Sequence, residues 1–133
     1  WWIGKGSIEL LFNNGWQIMA AEINYSIEER EGAKIVNLAG VLCSATEREF
    51  ISLIESLVAT NNVIINVSGV SMVTSSGLKA LTDLSHFARQ KKRRVMILGA
   101  SDNLQSLINA TESYDLLLIN SVEEGIRKLD YYI

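Results

Sequence analysis

The side chains best placed to do chemistry in this chain are three neighbouring hydroxyls, Thr74, Ser75 and Ser76, followed by Gly77. They belong to the stretch Val63 to Leu81, VIINVSGVSMVTSSGLKAL, in which an apolar, β-branched run breaks into a short polar loop and then enters a helical pattern. A junction of this kind sets small hydroxyls at the positive end of a helix. Free backbone N–H groups there can hold an anion or a modified serine. The same residues also make a good helix cap, which contributes about 1 kcal/mol. Local chemistry leaves both roles open.

Catalytic readings find little support. A hydrolytic serine needs a base and an orienting acid. The single histidine, His86, falls nearly three turns along the helix from Ser75, roughly 16 Å by helical rise, and reads as a surface residue. Asp83 and His86, spaced i,i+3, offer a metal two ligands and no third. Glu47, Glu49 and Glu55 form the polar face of a helix. The chain holds neither the G-x-x-x-x-G-K-[ST] string nor G-x-G-x-x-G, so nucleotide binding has no motif behind it. No catalytic residue, metal ligand or cofactor is therefore assigned. The serines read as groups acted upon.

Hydrophobic periodicity supplies the elements that must position them. Ile23–Glu29 alternates as a half-buried strand does, and Glu31-Gly32 turns it into a second strand, Lys34–Ala39, as an antiparallel hairpin. Ser44 or Thr46 starts a helix to about Thr60, with Phe50, Leu53, Ile54, Leu57 and Val58 on one face. Asn62–Val67 reads as a strand buried on both sides, with Gly69 as a turn after it. The second helix runs from about Ser76 to Gln90, with Leu78, Leu81, Leu84, Ser85 and Ala88 inward and Gly77 allowing close approach at its start. Arg94–Leu98 is a strand, Ser101 caps a short helix, Leu116–Ile119 is the last strand, and Ser121 caps Val122–Tyr131. Strands separated by helices must run parallel through right-handed crossovers. The expected fold is α/β, a single-layer mixed sheet of four to five strands with an N-terminal antiparallel hairpin and about four helices.

The first 18 residues stand apart. Ile8–Phe12, Asn13-Asn14-Gly15 and Trp16–Met19 read as a hairpin, or, since Met19-Ala20-Ala21 suits a translation start, as an upstream extension or cloning remnant. Residues 19–133 then form the domain proper. At 133 residues, with 48 % hydrophobic and 20 % charged, the chain suits one packed domain. A net charge of −3 argues against coating nucleic acid, and Lys91-Lys92-Arg93-Arg94 reads as a solvated helix end. The lone Cys43, read as a small buried hydrophobe, excludes an internal disulfide framework. No apolar run approaches the ~18–20 residues that span a bilayer, and residues 1–18 lack a signal-peptide pattern. The expectation is a cytoplasmic protein without direct membrane insertion.

The hairpin, then GVLCSATEREF, then VIINVSGVSMVTSSGLKAL and RVMILGASDNLQSLI together resemble the STAS domain, and more narrowly the bacterial anti-sigma factor antagonists, over about residues 23–131. In that family the loop after the third strand usually reads Asp-Ser-Ser/Ala/Thr-Gly-Leu. The resemblance implies that Ser75, or alternatively Ser76, is phosphorylated by an anti-sigma factor serine kinase and restored by a PP2C-type phosphatase. It implies a contact patch of Leu42, Cys43, Ser44, Val70, Met72, Thr74, Ser75, Ser76 and Gly77, with Val70 and Met72 in the loop. Two acids of the pattern are absent: Thr74 stands where the Asp stands, and Cys43 where a strand exit often ends in Asp. A non-phosphorylated STAS scaffold or transporter-associated subunit is the alternative.

Overall fold

The structure is a computed structural model that describes the backbone of residues 4–11 and 18–132 and the side chains of residues 22–129. Glu31 and Gly32 both take positive φ, 49° and 84°, and so close a two-residue turn of the twist that hairpins favour. That turn joins β2 (Ile18–Arg30) to β3 (Ala33–Leu42) antiparallel, with Arg30 opposite Ala33. β1 (Gly4–Leu11) pairs antiparallel with the other edge of β2, Leu11 opposite Ile18. The Asn13-Asn14-Gly15 turn read from the sequence lies outside the described residues.

After β3 the chain alternates helix and strand: α1 (Glu47–Val58), β4 (Asn62–Val73), α2 (Ser75–Gln90), β5 (Val95–Leu98), α3 (Asp102–Thr111), β6 (Leu117–Ile119) and α4 (Val122–Tyr132). The sheet order is β1-β2-β3-β4-β5-β6, with parallel pairing from β3 onward. The mixed sheet and the four helices are as expected. The five strands from Ile18 onward match the expected set, and β1 makes a sixth.

Three successive crossovers of one hand, all stepping the same way across a sheet, must lay their helices on the same face. The larger core accordingly joins Phe50, Ile54 and Val58 of α1, Leu81 and Leu84 of α2 and Leu104 of α3 to the sheet residues Val36, Ile65 and Ile97. α4 follows the last strand and covers the opposite face, where Leu129 meets Ile35, Ile64, Met96 and Ile119. Consecutive residues such as Ile64 and Ile65 thus enter different cores, which is why the strand lacks polar alternation.

One boundary differs in a way that matters for the site. β4 does not end at Val67 but runs to Val73, so Val70 and Met72 lie in the sheet rather than in a loop. Gly69 is no turn; it pairs with Ala39 inside the strand. Two register shifts make this possible: Asn37 and Ala39 face Asn66 and Gly69, and Gly40 and Val41 face Val70 and Met72. Each puts one more residue on β4 than on β3, the signature of a bulge. The extra polar residues bond locally, Ser71 Oγ to the Gly40 carbonyl at 3.1 Å and Ser68 Oγ to Asn66 Oδ1 at 2.8 Å.

Candidate partner-binding site

The exits of β3 and β4 are fastened together, and α2 starts from that joint. The Leu42 carbonyl accepts the Thr74 N–H at 3.0 Å. Gly77 passes so close that a Cβ there would sit 2.4 Å from the same oxygen. Only a residue without a side chain fits. Val73, which pairs with Leu42 just ahead of the two contacts, is buried in the core. The start of α2 is therefore fixed against β3.

Within this fixed turn the hydroxyls divide their duties. Thr74, the N-cap, is extended (φ −90°, ψ 174°), and its Oγ1 accepts the Gly77 N–H at 3.3 Å. Ser75 is the first helical residue and is exposed; Ser76 is half-buried. The sequence placed the helix start one residue later, at Ser76. A first-turn position leaves the Ser75 and Ser76 N–H groups without intrahelical acceptors. The first turn of α2 carries no acidic residue. The nearest ion pair on the helix is Lys79 Nζ with Asp83 Oδ2, 3.2 Å apart and exposed. A shallow groove of about 190 Å³ runs beside Ser75, lined by Lys79, Thr82 and Asp83 of α2 and by Thr111 and Ser113 after it.

The remaining patch residues separate into supports and surface. Leu42 is fully buried, so the expected side-chain contact there is replaced by a structural one: its carbonyl, not its isobutyl group, serves the site. Gly77 is likewise buried. Val70 is half-buried against the larger core, whereas Met72 is 50 % exposed. Cys43 is half-buried and Ser44 exposed. Thr46, read as a capping residue, occupies the N-cap of α1 without a side-chain cap bond. Its Oγ1 instead donates to the Val41 carbonyl at 2.8 Å and accepts the Cys43 N–H at 3.1 Å. That tie shapes the β3 exit and buries Thr46. Sequence reasoning missed Lys79, Thr111 and Ser113 as neighbours of Ser75; the i,i+4 spacing of Ser75 and Lys79 signals the first, and nothing local signals the other two.

The other chemical candidates lie apart from these hydroxyls. His86 is exposed, with Nε2 3.3 Å from Asp115 Oδ2. Among the described residues no group of three His, Cys, Asp or Glu side chains could hold a metal ion. Lys92 closes α2 in the left-handed region (φ 59°), and Lys91 lies over the Phe87 ring at 5.6 Å, so part of the basic run ends a helix as expected. A groove of about 500 Å³ opens between β2, β3 and α1, lined by Ile23, Tyr25, Leu38, Phe50 and Leu53 with Arg48 beside them. No helix among the described residues is long and apolar enough to cross a membrane.

Solved structures with this architecture include an anti-sigma factor antagonist from Mycobacterium paratuberculosis, 18 % identical, with a TM-score of 0.70 over 80 % of this chain and 92 % of that one. The anti-sigma factor antagonist SpoIIAA in its unphosphorylated form is 15 % identical, with a TM-score of 0.64 over 82 % and 98 %. Its phosphorylated form, from Bacillus, gives 0.62 at 15 % identity over 79 % and 98 %. SLC26A9 shares the fold over 78 % of this chain and 20 % of its own length, at 17 % identity and a TM-score of 0.67. These likenesses establish the fold. No curated protein matches the chain by sequence. The STAS domain family model matches residues 24–125, from β2 into α4, and by that match the chain belongs to the STAS domain family.

Proposed function

We propose that this chain is an anti-sigma factor antagonist that works by partner switching. Unmodified, it binds an anti-sigma factor serine kinase and so releases a sigma factor. Phosphorylation of Ser75 ends that binding, and a PP2C-type phosphatase restores it. On this reading the chain is a substrate and a switch, acting in the cytoplasm without catalysis of its own. The observation that carries it is the division of labour at α2: Thr74 caps the helix, and Ser75 stands exposed beside it.

The chemistry suits that position. Ser75 Oγ attacks the γ-phosphorus of ATP, the bond from that phosphorus to the β,γ-bridging oxygen breaks, ADP leaves, and the hydroxyl proton passes to a base on the kinase. The product carries roughly −1.5 to −2 charges at pH 7. Negative charge in the first turn of a helix is favoured by about 0.3–1 kcal/mol, so the domain keeps its fold. The readout falls on the partner, whose surface over a neutral serine has to desolvate a dianion. A loss of about 3 kcal/mol is more than a hundredfold in affinity. The adaptable side chain of the exposed Met72, with Ser44 and Cys43 on the neighbouring exit, supplies the surrounding contact.

The uncharged Thr74 favours one alternative, a STAS scaffold or transporter-associated subunit in which the serines are never modified. Incubation with the kinase and ATP, followed by a phosphate-retardation gel, separates the two. The retarded band is expected in the natural chain and in Ser76→Ala, and absent in Ser75→Ala. A natural chain that stays unshifted after prolonged incubation favours the scaffold.

A further inference from the structure

α4 already displays a pairing that α2 is built to make. Near the start of α4, the Glu124 carboxylate accepts the Asn120 N–H at 2.8 Å and holds Lys128 Nζ, four residues on, at 3.1 Å. The Asn120 N–H first, and then Lys128, hold that carboxyl below its ordinary pKa. In α2 the corresponding spacing joins Ser75 to Lys79, but the serine is neutral, and Lys79 turns the other way, to Asp83. Residues four apart on a helix are neighbours on its surface, and pairs with the anion on the N-terminal side are the better ones. Ser75 and Lys79 also line one groove, together with Thr82 and the hydroxyls of Thr111 and Ser113, which lie 2.8 Å apart.

We infer that a phosphate on Ser75 takes Lys79 as its counter-ion, draws it away from Asp83 and settles against the groove these residues line, leaving Asp83 uncovered as a second negative charge. This rests on Ser75 being the modified residue. A phosphate offers Lys79 more charge and more acceptor oxygens than a single carboxylate does, so the exchange runs toward the phosphate. Asp83 lies two turns from Ser75, so the negative surface that a partner meets extends well beyond the modified residue. Lys79 is thus a positioning residue of the switch, and a partner that reads the modified state reads it along α2.

The test uses the full chain with phosphoserine introduced at position 75 during translation, so no kinase is required. The phosphorus resonance is followed against pH. A nearby cation favours the dianion and lowers its second pKa. In Lys79→Met the midpoint is expected to rise, by about a two- to threefold change in proton concentration. Lys79→Arg keeps the natural midpoint, and Asp83→Asn lowers it, because the uncovered carboxylate no longer opposes the dianion. All three positions are exposed, so the variants fold. A midpoint unmoved in Lys79→Met, or raised in Asp83→Asn, overturns the inference while the gel shift of Ser75 stands. A missing gel shift overturns the proposed function without touching this midpoint.

Discussion

The two halves of β4 are built from one strand and serve opposite ends. From Val63 to Asn66 it is flanked by β3 on one side and β5 on the other, and Val63, Ile64 and Ile65 are at most 1 % exposed. β5 stops at Leu98, opposite Asn66, so beyond that point β4 is paired only with β3. There it takes two bulges, exposes Ser68, Gly69, Ser71 and Met72, and delivers the chain to α2. Stability comes from the half that is enclosed. Recognition becomes possible where a neighbouring strand ends early, because a bulged, one-sided strand can turn side chains outward without emptying a core.

The sharpest test of that contrast sets one substitution in each half. Ile65→Ala removes a fully buried side chain from the larger core and is expected to cost about 2–5 kcal/mol, read as a lower denaturant midpoint with an unchanged slope. Met72→Ala is expected to change stability by no more than about 0.5 kcal/mol, as half-exposed positions do. Comparable losses at the two positions would mean that the outer half is as much a part of the core as the inner one.

Next in size is Ser75→Asp, which places a permanent charge at the exposed end of the strand–helix joint. Under the proposed function, binding to the anti-sigma factor kinase falls by about a hundredfold or more, while the melting temperature stays within a few degrees of the natural chain. Titration calorimetry and a thermal melt on the same sample decide it. A variant that binds undiminished separates Ser75 from the contact surface. One that unfolds shows that this helix end does not tolerate charge, despite the two glutamates that open α4.

Much of this was legible in the sequence, for reasons that are local. Glu31-Gly32 announces a hairpin, the stripe of Leu78, Leu81, Leu84, Ser85 and Ala88 announces α2, and the β-branched run announces the enclosed half of β4. Ser101 and Ser121 cap where expected, accepting the N–H groups of Leu104 and Glu124 at 3.2 and 3.1 Å. The outer half of β4 reads as a loop in the sequence because Ser68, Gly69 and Ser71 are turn-forming residues, and a bulge consumes such residues without leaving the sheet. Thr46 reads as a cap because threonine often is one; tertiary contact with Val41 and Cys43 draws its hydroxyl elsewhere. Leu42 belonged to the right joint but on the wrong side of it. Sequence places a residue at a strand exit without saying which way its side chain faces once β3 and β4 are fastened.

The smallest expected effect concerns which hydroxyl holds the helix. If Thr74 is the cap, Thr74→Ala costs about 1 kcal/mol, and Thr74→Asp costs nothing or adds a few tenths, since aspartate caps at least as well and suits the helix end. Ser75→Ala, by contrast, leaves stability within about 0.5 kcal/mol, because an exposed first-turn hydroxyl supports nothing beneath it. Chemical denaturation of the three variants resolves differences of this size when slopes are shared. The reverse pattern, a loss at Ser75 and none at Thr74, would make Ser75 a structural hydroxyl whose modification must disturb α2. A switch needs a residue the fold can spare, and the ordering of these two small numbers says whether Ser75 is that residue.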